Sequence, residues 1–196
     1  MAQLSPDGSE LSVTIVVFGA ARSGKTAMVR GIHDRLGSLQ APVVADDPTR
    51  FIPVEWVRLE LGVIGGRRAS VLLYAVPGMS AHDPTRRMLL AAADGVIFLA
   101  DSQAARLEDN LEAHRILTSH TLSGERGVPV VYFLSKQDLP IELLIPQDVL
   151  ASALGTGDAP VFAGDVVRGT MVREALQEAL TRVLRQYAVT GSHGDE

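Results

Sequence analysis

The chain contains no cysteine. Disulfides, zinc–thiolate centres, cysteine nucleophiles and lipid attachment at cysteine are therefore excluded. Position 2 is Ala2 rather than glycine, so N-myristoylation is not expected. No apolar run approaches membrane-spanning length, and Met1-Ala2-Gln3-Leu4-Ser5-Pro6-Asp7 lacks a signal-peptide pattern. Basic charge is in deficit, with 18 Lys and Arg against 23 Asp and Glu and a formal net charge of −5. A nucleic-acid binder would normally show a basic stripe. These absences predict a soluble cytoplasmic protein with no lipid anchor and no nucleic-acid partner.

What remains is ordinary globular material. The 196 residues, 46% hydrophobic and 21% charged, suffice for one domain with a substantial core. Residues 1–11 and 189–196 read as flexible tails around a folded unit, 12–188. Within it, strand-like segments (13–18, 54–63, 69–76, 95–101, 128–134, 159–163) alternate with helix-like ones (25–36, 84–93, 103–120, 146–153, 169–187). Val71–Val76, Val96–Ala100 and Val128–Leu134 are continuous apolar runs, as in central strands covered on both faces. Val54–Leu61 alternates, as a half-exposed edge strand does, and joins its neighbour through Gly65-Gly66, a hairpin signal. The expected fold is α/β: a mostly parallel six-stranded sheet with one antiparallel edge strand and helices on both faces. In such sheets, ligands sit at the carboxyl ends of the strands.

The most specific signal lies at one of those ends. Gly19-Ala20-Ala21-Arg22-Ser23-Gly24-Lys25-Thr26 fits G-x-x-x-x-G-K-[ST] between an apolar strand and a helix, the context a phosphate-cradling P-loop needs. A chance match in a chain this long is on the order of one per cent. The glycines let successive N–H groups converge on phosphate oxygens, and the helix N-terminus adds partial positive charge. Lys25 is placed for the β- and γ-phosphates, and the Thr26 hydroxyl for Mg²⁺.

Other strand ends carry Pro77-Gly78-Met79 and Ser135-Lys136-Gln137-Asp138. With the P-loop they resemble the motif set of Ras-like GTPases. Val76-Pro77-Gly78 with Arg86, then Ala93-Asp94-Gly95 running through Asp101-Ser102-Gln103, then Lys136-Gln137-Asp138-Leu139-Pro140, is similar to the bacterial MglA-like polarity and gliding-motility GTPases. The resemblance spans about residues 13–187. It implies a Ras-like fold, GTP/GDP and Mg²⁺ as cofactors, switch-region effectors and a roadblock-domain (MglB-like) regulator. It places Asp138 on the guanine N1–H and N2 amino group, which adenine cannot match, and the stem of Lys136 over the base. Ser135 departs from the family's Asn and implies weaker positioning. It also implies nucleotide contacts at Gly78 and at Ala163, in the place of the family's last guanine-contact loop, although Ala163-Gly164 equally suits a turn after a short strand. Thr49 is the best match to the switch threonine that closes on Mg²⁺ and the γ-phosphate, although Pro48-Thr49 also suits a local turn.

Several positions depart from an efficient GTPase. Ala75 replaces an Asp that holds a metal-bound water, as is common among MglA-like proteins. Met79 stands where a Gln orients the attacking water, and a thioether cannot both donate and accept. Ala21 adds a methyl at the third P-loop position. Slow intrinsic hydrolysis is expected. Arg50 could reach the γ-phosphate from the switch loop and His82 could position water, and both residues also suit solvated loop positions. Arg22 could act as a cis arginine finger but reads rather as a solvated arginine, and Asp101-Ser102 as a helix N-cap rather than an acid site. The leading reading is a GTP switch with slow or partner-dependent hydrolysis. The alternative is a nucleotide-binding pseudo-GTPase acting as an interaction module. A small-molecule phosphotransferase ranks third, because Arg86-Arg87 and Arg67-Arg68 suit a helix start and a hairpin rather than a lid.

Overall fold

The computed structural model describes residues 3–5, 7–36, 43–44, 55–76, 83–121 and 127–191. Its strands are β1 (Gln3–Leu4), β2 (Glu10–Phe18), β3 (Val43–Val44), β4 (Glu55–Ile64), β5 (Arg67–Ala75), β6 (Gly95–Asp101), β7 (Val130–Ser135) and β8 (Val161–Ala163). Its helices are α1 (Lys25–Leu36), α2 (Asp83–Ala91), α3 (Leu107–Thr121), α4 (Gln147–Leu154) and α5 (Val172–Gly191). The sheet order is β3-β4-β5-β2-β6-β7-β8, with β1 paired to β2. Strands β5, β2, β6, β7 and β8 are parallel. β4 runs antiparallel to β5. The six longer strands form the sheet expected from sequence; β1 and β3 add two-residue antiparallel pairings.

Period-two side-chain alternation builds two cores from one sheet. Val13, Ile15 and Val17 of β2, Ile97 and Leu99 of β6, and Val131 and Phe133 of β7 face one way. There they meet Met28, Val29 and Ile32 of α1 and Ala175, Leu176, Ala179 and Val183 of α5. Val16, Phe18, Val96, Phe98, Ala100, Tyr132 and Leu134 face the other way, against Leu89 and Leu90 of α2, Ala113 and Leu117 of α3, and Leu150 and Leu154 of α4. All of β6 is buried, which is why it reads as an uninterrupted apolar run. Gly65 and Gly66 adopt φ of +59° and +79°, the left-handed pair a two-residue hairpin demands.

The boundaries differ from expectation where side chains compete with backbone pairing. β2 begins at Glu10 because Glu10 pairs with Arg68 and Leu11–Ser12 pair with β1. The turn joining β1 and β2 closes on Asp7, whose carboxylate accepts from the Ser5 hydroxyl at 2.5 Å and from Ser9 N at 3.1 Å. α3 starts late: Asp101 accepts from Gln103 N at 3.1 Å, an Asx turn, and a short 3₁₀ turn at 104–106 precedes the helix. The Asp101 carboxylate is thus a turn former, and the helix-capping role expected of it is not seen. α5 starts at Val172, after Met171 at φ +60°, and runs to Gly191, through 189–191 of the expected tail, with no proline to stop it.

Candidate nucleotide site

The loops following β2, β6, β7 and β8 leave the same edge of the sheet, since those strands are parallel. After Phe18 the chain curls through Gly19 at φ +146°, Arg22 at +64° and Gly24 at +108° before entering α1. A Cβ on Gly19 would sit 2.2 Å from the Leu99 carbonyl oxygen, so only glycine fits. A Cβ on Gly24 would meet Val166 Cγ2 at 2.9 Å, which locks the loop against the segment after β8.

Lys25 folds back beneath this curl. Its Nζ donates to the carbonyls of Gly19 at 3.0 Å and Ala20 at 2.5 Å, which leaves one of three ammonium donors uncommitted by these bonds. Only 7% exposed, it has its pKa lowered to about 8 by burial first and by the nearby Arg86 charge second. Ser23 Oγ is also buried and has no hydrogen-bond partner among the described residues. A desolvated ammonium, an orphaned hydroxyl and a helix N-terminus converge here. That set fits a polyphosphate, which would satisfy the hydroxyl and favour the charged lysine. Thr26 is exposed on the first turn of α1. Among the described residues there is no group of three or more His, Asp or Glu suited to a metal. A metal here would rest on the Thr26 hydroxyl, phosphate oxygens and water, as suits Mg²⁺.

The loop after β7 is braced to the P-loop. Ser135 is fully buried, and its Oγ lies 2.9 Å from the Ser23 carbonyl oxygen and 2.8 Å from that of Ala100. This serine therefore ties P-loop, β6 and β7 together. Lys136 takes φ +69° and Leu139 N bonds the Lys136 carbonyl at 3.2 Å, closing a turn that leaves Asp138 exposed. The Gln137 amide donates to Ser102 Oγ at 2.7 Å. Beyond Ala163, at the end of β8, the Asp165 carboxylate accepts from Val167 N at 2.8 Å. The Asp165 carbonyl accepts from Gly169 N at 2.8 Å and Thr170 N at 3.0 Å.

Arg35, Arg106 and Asn110 support the site and were missed from sequence. Arg35 Nη2 donates to the Val167 carbonyl at 2.8 Å, clamping the 164–170 segment to α1. Arg106 Nη2 donates to the Ala21 carbonyl at 2.7 Å. Asn110, fully buried, accepts from Asp101 N at 3.0 Å and donates to its carbonyl at 2.7 Å, fixing the end of β6. Asn110 had a readable signal: a polar residue on the Ala113/Leu117 stripe of α3. The two arginines act on carbonyls 85 and 132 residues away and leave no local trace. Arg86 and Arg87 part company, for Arg87 is exposed whereas Arg86 is 4% exposed with its guanidinium 5.0 Å from the Phe18 ring centroid.

The structure thus gathers Gly19 to Thr26, Ser135 to Asp138 and Ala163 on one edge. Thr49, Arg50, Gly78, Met79 and His82 lie outside the described residues. Ala75 is buried at the end of β5, in register with Val17, and presents no carboxylate. No helix among the described residues is long and apolar enough to cross a membrane.

No family model matches the chain. It is 29% identical over 196 residues to the mutual gliding-motility protein MglA of Myxococcus xanthus (strain DK1622), an alignment covering 95% of this chain and 97% of that protein.

Proposed function

We propose that this chain, an MglA-like small GTPase, is a cytoplasmic guanine-nucleotide switch with slow or partner-dependent GTP hydrolysis, acting in bacterial cell polarity or motility. The observation that carries the reading is the desolvated cradle of Lys25 and Ser23 at the start of α1. Bound GTP–Mg²⁺ would supply the phosphoanhydride bond and the γ-phosphate whose loss distinguishes the two states. Lys25 would hold the β- and γ-phosphates, and the P-loop N–H groups would orient them. Thr26, with Thr49 when the first switch closes, would ligate the metal. Asp138 would accept from the guanine edge, Lys136 would cover the base, and Gly78 and Ala163 would complete the contacts.

Water activation is the weak part of this site. Ala21 adds a methyl where a water-positioning side chain would swing in, and Met79 cannot both donate to and accept from a water. Arg50 and His82 are the residues of this chain best suited to compensate, and a roadblock-domain regulator of the MglB type is the partner best suited to assist. The test is chromatography of the nucleotide released when freshly purified protein is denatured. Bound GDP supports a working, slow GTPase. Retained GTP supports binding without turnover, the interaction-module alternative, until an activating partner is added. A bound adenine nucleotide, or ATP competing as well as GTP, would remove the reading.

A further inference from the structure

We propose that Arg106 is a positioning residue for the phosphate site: by holding the Ala21 carbonyl toward α3, it turns the N–H of the same peptide group, that of Arg22, to the opposite side of the loop, where the polyphosphate chain would lie. The proposal rests on the nucleotide reading above.

Geometry carries the argument. Arg106 closes the 3₁₀ turn that precedes α3. Its Nη2 donates to the Ala21 carbonyl at 2.7 Å while its Nη1 pairs with Asp109 Oδ2 at 2.6 Å. A guanidinium is planar, so a carboxylate gripping one nitrogen fixes the direction of the other. The Ala21–Arg22 peptide bond is trans, and in a planar trans peptide the C=O and N–H point in opposite directions. A carbonyl anchored on α3 therefore sends the Arg22 N–H away from α3. Arg22 itself holds φ +64°, a conformation a non-glycine residue keeps only when its surroundings enforce it. The Arg106 bond to the preceding peptide is such an enforcement. Arg106, Asp109 and Arg86 also line a cleft of about 160 Å³ beside Ala20 and Ala21.

Arg106→Met, Arg106→Lys and Asp109→Asn are compared with the unaltered protein. The probes are fluorescent GDP, a non-hydrolysable GTP analogue, and guanosine measured by saturation-transfer NMR. The melting temperature of each nucleotide-free variant is recorded alongside. Arg106→Met is expected to weaken both phosphorylated probes by on the order of tenfold, the value of one charge-assisted hydrogen bond. Guanosine, with no phosphate, should bind all variants alike. Arg106→Lys should recover only part of the loss, because a single ammonium lacks the fork that reaches carbonyl and carboxylate together. Asp109→Asn should show a smaller loss without touching the P-loop. Equal weakening of guanosine and GDP, or unchanged GDP affinity with only a lower melting temperature, would assign Arg106 to general stability and overturn the proposal. Failure of the unaltered protein to bind GDP would remove the nucleotide reading first, and the proposal with it.

Discussion

Replacing Ser135 with alanine tests how the base-side loop and the P-loop are joined. The Ser135 oxygen sits within 2.9 Å of two carbonyl oxygens, those of Ser23 and Ala100. A hydroxyl has one proton, so it satisfies one carbonyl at a time and exposes its own lone pairs to the other. The alanine variant thus loses about one hydrogen bond and leaves two carbonyls facing a methyl in a fully buried place. An unsatisfied buried acceptor costs about 1–3 kcal/mol, and at this chain length each kcal/mol lowers Tm by roughly 2–4 °C. Urea unfolding of the nucleotide-free protein should show that destabilisation with an unchanged m-value. Because one of the two carbonyls belongs to Ser23, titration calorimetry should also show weaker GDP binding. Ser135→Cys, nearly isosteric but a weak donor, should fall between serine and alanine. A change below about 0.5 kcal/mol for the alanine variant, the scale of an ordinary surface substitution, would refute the view that this hydroxyl braces the site.

Three further outcomes follow from the same geometry. Gly19→Ala forces a methyl to 2.2 Å from the Leu99 carbonyl and should abolish GDP binding while destabilising the fold by about 2 kcal/mol or more; calorimetry showing binding within twofold of the original would contradict the strained-loop account. His114 packs at 5.3 Å from the Phe98 ring centroid, hydrogen-bonds Tyr132 at 2.8 Å, and has its pKa lowered by burial. The unfolded chain then binds more protons just below pH about 6.5, so stability falls as pH drops through that value; urea midpoints at pH 7.5 and 5.5 should differ less in His114→Gln than in the original. Asp138→Ala should weaken GTP by roughly a hundredfold and leave ATP unchanged, because the two charge-assisted hydrogen bonds proposed to guanine would be lost; parallel competition titrations would read the ratio, and an unaltered GTP-to-ATP preference would remove Asp138 from base recognition.

Much of this protein was legible in one dimension, because its signals are local. Period-two and continuous apolar runs disclosed the strands, and Gly65-Gly66 the hairpin, since both depend only on neighbouring residues. The loop proposed to cradle phosphate stood out because such chemistry needs consecutive backbone N–H groups and so leaves a contiguous motif. Contacts between distant segments were not readable. Whether Ser135 was a weakened base contact or a buried brace depended on β7 lying beside β6 and the P-loop. Arg86 and Arg87 are alike in sequence, and only the packing of α2 buries one on Phe18 while leaving the other in water. Arg35 and Arg106 gained roles because their long side chains end on carbonyls far away in sequence. The sequence by itself determined the fold class, the glycine-bearing loop between β2 and α1 and the residue types at each strand end, all fixed by short-range backbone and side-chain preferences. Tertiary structure alone decided which of those residues share the site, which cations brace it, and which buried groups lack a partner, since burial and hydrogen-bond satisfaction exist only once distant segments are packed together.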